Sequence, residues 1–472
     1  MDGSETEEGR ITMAMLRQTG DDQGEMWIAT EKLARGPGHP FYRQVNRLLA
    51  AEGFDGFVEG LCAKFYAERL GRPSIAPGVY FRMLMVGYFE GIDSERGIAW
   101  RCADSLALRE FLRVGLGGRT PDHSTLSVIR KRIDVETHQE VFGWVLKVLA
   151  GRGLLTGKTL GIDATTLEAN AALRSIVRRD TGEGYAEFLT QLATASGIET
   201  PTREDLAKVD RNRKGKGSNK DWQNPHAPDA AITKMKDGRT HLAHKAEHAV
   251  DLDTGAVLAV TVQRADSGDT TSVHETLDKA AETLREVRDD PAVGGRLSDD
   301  FAAEVIADKG YHSNAVLRDL NEMGIRTYIS EPKRKGRRNW KNKAAERDAV
   351  YGNRRRIKGE RGKALLRKRA ELDERSFAHC YETGAMRRTH LRGHANILKR
   401  LCIHIAGFNL SLVLRQLLGA GTPRGLQGLS AALVRTAFSA LSGLRRLWTV
   451  LWPLITSSQN ASKNNTPLWR AA

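Results

Sequence analysis

The sequence predicts an α/β protein: a mixed sheet with flanking helices, preceded by an all-helical N-terminal region. Three observations carry this. Residues 39–150 space their apolar side chains by threes and fours between Gly and Pro breaks, the period of amphipathic helices. From 159 onward, short β-forming runs alternate with helical stretches, the order of a layered α/β sheet. Two of those runs, "TLGIDATTLEAN" (159–170) and "EVIADKGYHS" (304–313), end on a lone acid, Asp163 and Asp308. One such acid is ordinary; two invite a search for a shared task.

Bulk properties narrow the class. At 472 residues the chain is long enough for two or three domains. Its 40% hydrophobic and 28% charged residues are those of a globular chain. Lys and Arg number 73 against 58 acids, a net +15, which suits a polyanionic partner and above all nucleic acid. Cys62, Cys102, Cys380 and Cys402 stand far apart without a C-x-x-C pair, which argues against a zinc ribbon and a disulfide framework and fits a reducing cytosol. The acidic start "MDGSETEEGR" is not expected to be a secretory signal. "LWTVLWPLI" near the other end is too short for a bilayer, which needs about 20 apolar residues. A cytoplasmic protein that engages no membrane is expected.

Element by element, 1–38 reads as a flexible N-terminal segment and 39–150 as a helical DNA-binding domain. Within it, "GGRTPDHSTLSVIRKRI" (117–133) offers a Gly-rich turn, then Asp122, Ser124 and Thr125 as N-caps. The helix that follows carries Arg130, Lys131 and Arg132, the layout of a helix-turn-helix reader. The strand from 159 leads into a polar tract at about 171–240, read as an insertion outside the core. "HLAHKAEHAVDLDTGAVLAVTVQRA" (241–265) alternates around a turn and reads as a hairpin. An amphipathic helix at 272–287, the strand ending on Asp308, a helix at 314–324 closed by Gly324 and the strand "RTYIS" follow. After 331 come two basic runs, 333–341 and 354–369, the second including Arg354, Arg355 and Arg356. Such runs beside an acid site are better explained by phosphate contacts than by solvation alone. Helices resume through 393–418, and 419–472 reads as a weakly specified tail.

Carboxylates at strand ends in an α/β sheet lie where ligands bind. Two of them can share Mg²⁺ or Mn²⁺, hard ions that prefer oxygen. Phosphodiester chemistry often uses two such ions about 4 Å apart, one at the attacking and one at the leaving oxygen. A third acid completes both ligand sets. Among Glu346, Glu360, Glu371, Asp373, Glu374 and Glu382, Glu374 is preferred because Phe377 and Ala378, one turn on, can fix the helix against the sheet. Composition alone does not separate it from Glu371 or Asp373.

"GIDATTLEAN", "VIADKGYHS" and "ERSFAH…MRRTHLRGHANILKRL" together resemble the three blocks of bacterial insertion-sequence transposases of the DDE class. "TPDHSTLSVIRKRI" resembles the end of their helical DNA-binding domain, and the likeness runs from about 39 to 418. The resemblance implies an RNase H-like catalytic domain over 159–418 with Asp163, Asp308 and Glu374 as a metal-binding triad. It implies double-stranded DNA as partner: the terminal inverted repeats of a mobile element, and a target. The implied reaction is metal-assisted strand hydrolysis followed by attack of the freed 3′-hydroxyl, by a homo-oligomer paired on two ends. The sequence departs from the family's Y-x2-R-x3-E-x6-K pattern: Ala370 stands at the Arg position with Arg369 one place off, and Tyr381 replaces the Lys. Arg387, Arg388 and Arg392 are the candidates to supply the charge near the scissile phosphate.

Smaller features read as structural. Tyr311 is expected to pack, and His241 and His244 fall on opposite faces of a strand. His390, His394, Cys402 and His404 match no zinc spacing. Trp222, Trp340 and Trp448 are read as exposed-region aromatics. The alternatives are an RNase H-like nuclease without strand transfer, a non-catalytic DNA-binding regulator, and RNA binding by the basic runs. Strand transfer on a pre-cut end, indifference to Asp163→Asn, and lack of duplex preference discriminate these in turn.

Overall fold

The computed structural model describes residues 38–67, 74–213, 217–235, 237–333, 336 and 338–428. The expected N-terminal segment up to 37 and Trp448, in the expected tail, lie outside them. Seven helices come first: α1 (Pro40–Ala51), α2 (Phe54–Cys62), α3 (Pro77–Glu90), α4 (Glu95–Asp104), α5 (Leu106–Phe111), α6 (His123–Arg132) and α7 (Val135–Gly151). Pro40 and Pro77 each open a helix, where a missing N–H leaves nothing unsatisfied. Ser94, Ser105, Asp122 and Asp134 cap the next four with side-chain oxygens.

Then come β1 (Thr159–Glu168), β2 (Val177–Arg178), α8 (Tyr185–Ala195), α9 (Arg203–Asn212), β3 (Trp222–Gln223), β4 (Ala231–Lys234), β5 (Thr240–Asp251) and β6 (Val257–Arg264). After them run α10 (Asp269–Arg288), β7 (Glu304–Ala307), α11 (Asn314–Glu322), β8 (Arg326–Ile329), α12 (Ala344–Lys358), α13 (Glu360–Phe377) and α14 (His394–Leu418). A π-helical turn, Ala378–Thr383, continues α13. The principal strands lie in the order β6-β5-β1-β7-β8, with β4 extending the β6 edge of β5. β1 is antiparallel to β5 and parallel to β7, so the sheet is mixed, as expected.

Strand alternation sorts the two faces. Gly161, Ile306 and Tyr328 share one, where Ile306, Tyr328 and Leu252 pack under Ile357, Leu365, Leu366 and Leu372 of α12 and α13. Leu160, Ile162 and Val305 share the other, in the large core with α7, α10 and α14. Each outer strand is closed by an asparagine that offers both an acceptor and a donor to one backbone residue. Asn409 of α14 meets Val257 N and O (3.0 and 2.8 Å), Asn353 of α12 meets Ile329 (2.9 and 2.8 Å), and Asn219 meets Ile232 (2.6 and 2.9 Å). Each amide does for an open edge what a neighbouring strand would do.

The described residues from 39 to 428 form one unit, and the helices of 39–150 share a continuous core with the sheet. α14 makes the join, packing on α3, α7 and β6. Its buried Arg400 donates to Leu84 O (2.8 Å) in α3 and to Ile92 O (3.2 Å) just beyond that helix. α14 is long and apolar enough to cross a membrane on composition alone, yet it is a core helix, with nearly every side chain from Ile397 to Leu414 buried. The 171–240 tract corrects the expectation of a coreless insertion. It holds a small core of Ile176, Trp222, Ala227 and Ala230, with Tyr185 and Phe188 packed edge-on against a buried Trp222.

Candidate active site

Register brings the two acids near one another, but only Asp308 directly follows its strand; Asp163, expected at a strand end, lies in the middle of β1, which runs on to Glu168 along β5. Ile162 of β1 is paired with Ala307 of β7, so the next position along sets Asp163 beside Asp308, both on the α13 face. Burial pushes the Asp163 carboxyl up from its ordinary range; Arg369 opposes this, while Asp308 and Asp269 add to it. Asp308 turns its carboxylate back onto the backbone, accepting from Gly310 N (2.6 Å) and capping the short turn Lys309–Tyr311. A Cβ at Gly310 would press on carboxylate oxygens of both Asp308 and Asp269, which would have to move aside. Asp269, the first residue of α10, is a neighbour that sequence reasoning missed; nothing but its helix-start position marked it.

Beneath these acids lies a buried polar anchor. Glu247 of β5, fully buried, accepts from Tyr311 OH (2.8 Å), Ser272 Oγ (2.8 Å) and Thr276 Oγ1. Lys245 Nζ lies 3.5 Å from Glu247 and donates to Asp269 (2.6 Å). Tyr311 therefore packs, as expected, and its turn is fixed from below.

β7 ends at Ala307 while β1 continues to Glu168, which leaves a notch along the β1 edge. The far end is closed by residues 387–389: Glu168 N donates to Arg387 O (2.9 Å) and Thr389 N to Glu168 O (2.8 Å). Arg387 reaches into that end, donating to Thr165 Oγ1 (2.8 Å) and Thr166 O (2.9 Å), with Glu382 as its ion-pair partner. One end of the notch is thus acidic and the other cationic. Arg388 and Arg392 are exposed beside it, Arg392 Nε donating to Asn170 O (3.4 Å).

α13 lies across the acid face. Arg369 pairs with Asp163 (2.8 Å) and with the fully buried Asp373 (2.9 Å). Burial pushes the Asp373 carboxyl up, against the pull of Arg369. Glu374, the expected third acid, is exposed and does not join the pair in this arrangement. The α13 residues that turn toward Asp163 are Arg369 and Asp373.

The expected DNA contacts divide. The reading of Arg130 as a base reader is corrected: it is buried, ion-paired with Glu95 (2.7 Å) and donating to Asn396 (2.8 Å), because α6 packs on α4 and α14. Lys131 and Arg132 are exposed, Arg132 lying over the Tyr66 ring at 5.7 Å. Arg354 is held by Glu331 (2.8 Å) and Arg356 donates to Thr327 O (2.9 Å), while Arg355 is exposed. Trp222 is buried and Trp340 half-buried against Tyr351, so neither is a freely exposed ring.

A mixed sheet in this order, with one acid within β1 and another directly after the parallel β7, fits a phosphoryl-transfer enzyme of RNase H-like architecture. Two families match the chain: the Transposase domain (DUF772) over residues 30–132 and the Transposase DDE domain over 218–410. The chain belongs to the insertion-sequence transposases of the DDE class. Asp308 and Glu374 fall inside the second match and Asp163 ahead of it. No curated protein and no solved structure matches the chain.

The family generally uses divalent metal ions. Hard-oxygen donors fit such a cation, and the burial that chiefly raises Asp163, with Asp308 and Asp269 adding to it, disfavours an unpaired carboxylate that a cation would stabilise. Among the described residues no three acid, His or Cys side chains are grouped closely enough to form a ready-made metal site.

Proposed function

We propose that this transposase binds the terminal inverted repeats of its own element, hydrolyses a strand at the element's end, and joins the freed 3′-hydroxyl to target DNA. The observation that carries the reading is the β1–β7 register, whose last pair Ile162–Ala307 stands directly before Asp163 and Asp308, with the Asp308 charge felt at the Asp163 carboxyl. These two and Glu374 would hold two Mg²⁺ or Mn²⁺ ions. When bound, the ions would lower the barrier by charging the attacking oxygen and stabilising the leaving one.

The protein's own residues do the rest. The Lys309–Tyr311 turn, tied to Glu247, keeps Asp308 from turning away. Arg387, restrained by Thr165, Thr166 and Glu382, supports a scissile phosphate at the other end of the notch. Arg388, Arg392, Arg355, Lys131 and Arg132 supply backbone contacts along the duplex. Pairing of two ends implies a homo-oligomer on DNA.

The test is cleavage of a labelled duplex carrying the element's end, with Mg²⁺ or Mn²⁺, by wild type, Asp163→Asn and Asp308→Asn. Cutting by wild type alone, with end binding retained in both variants, is the expected result. Equal cutting by all three would overturn the assignment.

A further inference from the structure

Arg369 has an unusual position. It is nine-tenths buried, and its guanidinium donates to Ile162 O twice (3.3 Å each) from beneath β1. From there it reaches Asp163 Oδ2 on one side (2.8 Å) and Asp373 Oδ2 on the other (2.9 Å). Asp373 is wholly buried, and no hydrogen bond of good geometry reaches either of its oxygens. A carboxylate placed so deeply is tolerated only beside a cation, and Arg369 is that cation. Gly161 makes the approach feasible: a Cβ there would press on both the Asp373 carboxylate (3.0 Å) and the Arg369 stem (3.3 Å). The other oxygen of Asp163 accepts from Ala164 N (2.9 Å), so the carboxylate is held from two directions.

We propose that Arg369 and Asp373 are positioning residues that set the cation affinity of Asp163, by dividing one guanidinium charge between the metal-binding carboxylate and a buried reserve carboxylate. The inference rests on the metal-site reading given above. Arg369 orients Asp163 and also competes with a cation for its negative charge. Asp373 draws part of that guanidinium charge away, which leaves Asp163 able to take the cation. Losing Arg369 therefore strengthens cation binding while loosening the geometry; losing the Asp373 charge commits Arg369 to Asp163 and weakens cation binding.

The opposite signs are the test. Mn²⁺ binding to the full chain is measured by electron paramagnetic resonance of the free ion, with thermal melts to confirm folding. Arg369→Gln should bind Mn²⁺ about tenfold more tightly than wild type, since a full positive charge within contact distance is removed. Asp373→Asn should bind it several-fold more weakly. If either single variant fails to fold, the double variant, which removes both buried charges, should still bind more tightly than wild type. A purely structural Arg369 would show weaker binding in Arg369→Gln, and that result overturns the proposal, as does unchanged affinity in Asp373→Asn. Asp163→Asn separates the two levels. Mn²⁺ binding that survives it refutes the metal-site reading itself; binding lost there, with Arg369→Gln and Asp373→Asn shifting in one direction, refutes this inference alone.

Discussion

Gly310 lacks a side chain because Asp269 and Asp308 converge on the place where one would be. Gly310→Ala should push Asp308 off its register position, lowering cleavage on the order of 10²-fold, because small misplacements of reacting groups are that damaging. End binding should stay within about twofold, since phosphate contacts lie elsewhere; an equal loss of both in cleavage and gel-shift assays would sink the claim. Glu374 makes a sharper case. Being exposed, it should tolerate Glu374→Gln with a change in melting temperature of no more than about 1 °C while cleavage disappears. Retained cleavage would pass the third role to another acid of α13. The two aspartates stood out in the sequence as acids after short apolar runs, which holds for Asp308 after β7; Asp163 instead lies within β1, because pairing with β5 carries that strand on to Glu168. Asp269 was not, because an acid at a helix start is ordinary capping chemistry. The burial of Arg130 was equally hidden: its partner Glu95 lies on another helix, and only packing reveals that the two meet.

At the level of elements, the three edge asparagines carry a clear expectation. Asn353→Ala and Asn409→Ala each strip a donor and an acceptor from buried backbone and should each destabilise by about 2–4 kcal/mol in chemical denaturation. Asn→Asp, unable to donate, should recover little; full recovery would mean that packing alone mattered. The basic helix α12 separates by face in the same way. Replacing Arg355 should flatten the salt dependence of end binding by about 0.9 if it contacts one phosphate. Replacing Arg356, tied to Thr327, should instead lower stability and leave the slope unchanged. Strand and helix order was legible from periodicity, and the 241–265 hairpin, the 314–324 helix and the strand after it stand where alternation and Gly324 put them. The notch was not legible, because it depends on β7 being shorter than β1, a difference set by tertiary packing. The small core around Trp222 was missed because its few apolar residues are scattered along a polar tract and gather only on folding.

For the whole molecule, the decisive feature is the shared core through α14, and it fixes how the protein should respond to acid. Four buried histidines sit along that core and the sheet it covers: His138 and His244, each lowered to about 4 by burial, and His248 and His404, each lowered to about 3. Each accepts burial as the neutral ring. His138 contacts Tyr80 OH (3.0 Å), His248 contacts Tyr381 OH (2.6 Å), and His404 contacts Cys380 O (2.8 Å). Their folded-state affinity for protons is below the unfolded value of 6.5, so the stability they carry is complete above that pH. It is lost as pH falls from 6.5 toward 4 and then 3, where the unfolded chain binds protons that the folded chain refuses. A histidine displaced from 6.5 to about 4 accounts for on the order of 3 kcal/mol when the loss is complete. Because His138 lies in the N-terminal helices, His248 on the sheet and His404 on α14, with one core joining them, the loss should be global. Calorimetry at pH 7 should show a single transition for residues 39 onward, moving down steeply as one transition between pH 6 and 4. A variant with His404→Gln should flatten that pH dependence even where its melting temperature at pH 7 is lower. Two transitions separating as pH falls, one assignable to the N-terminal helices, would show that α14 does not bind the two parts into one cooperative unit.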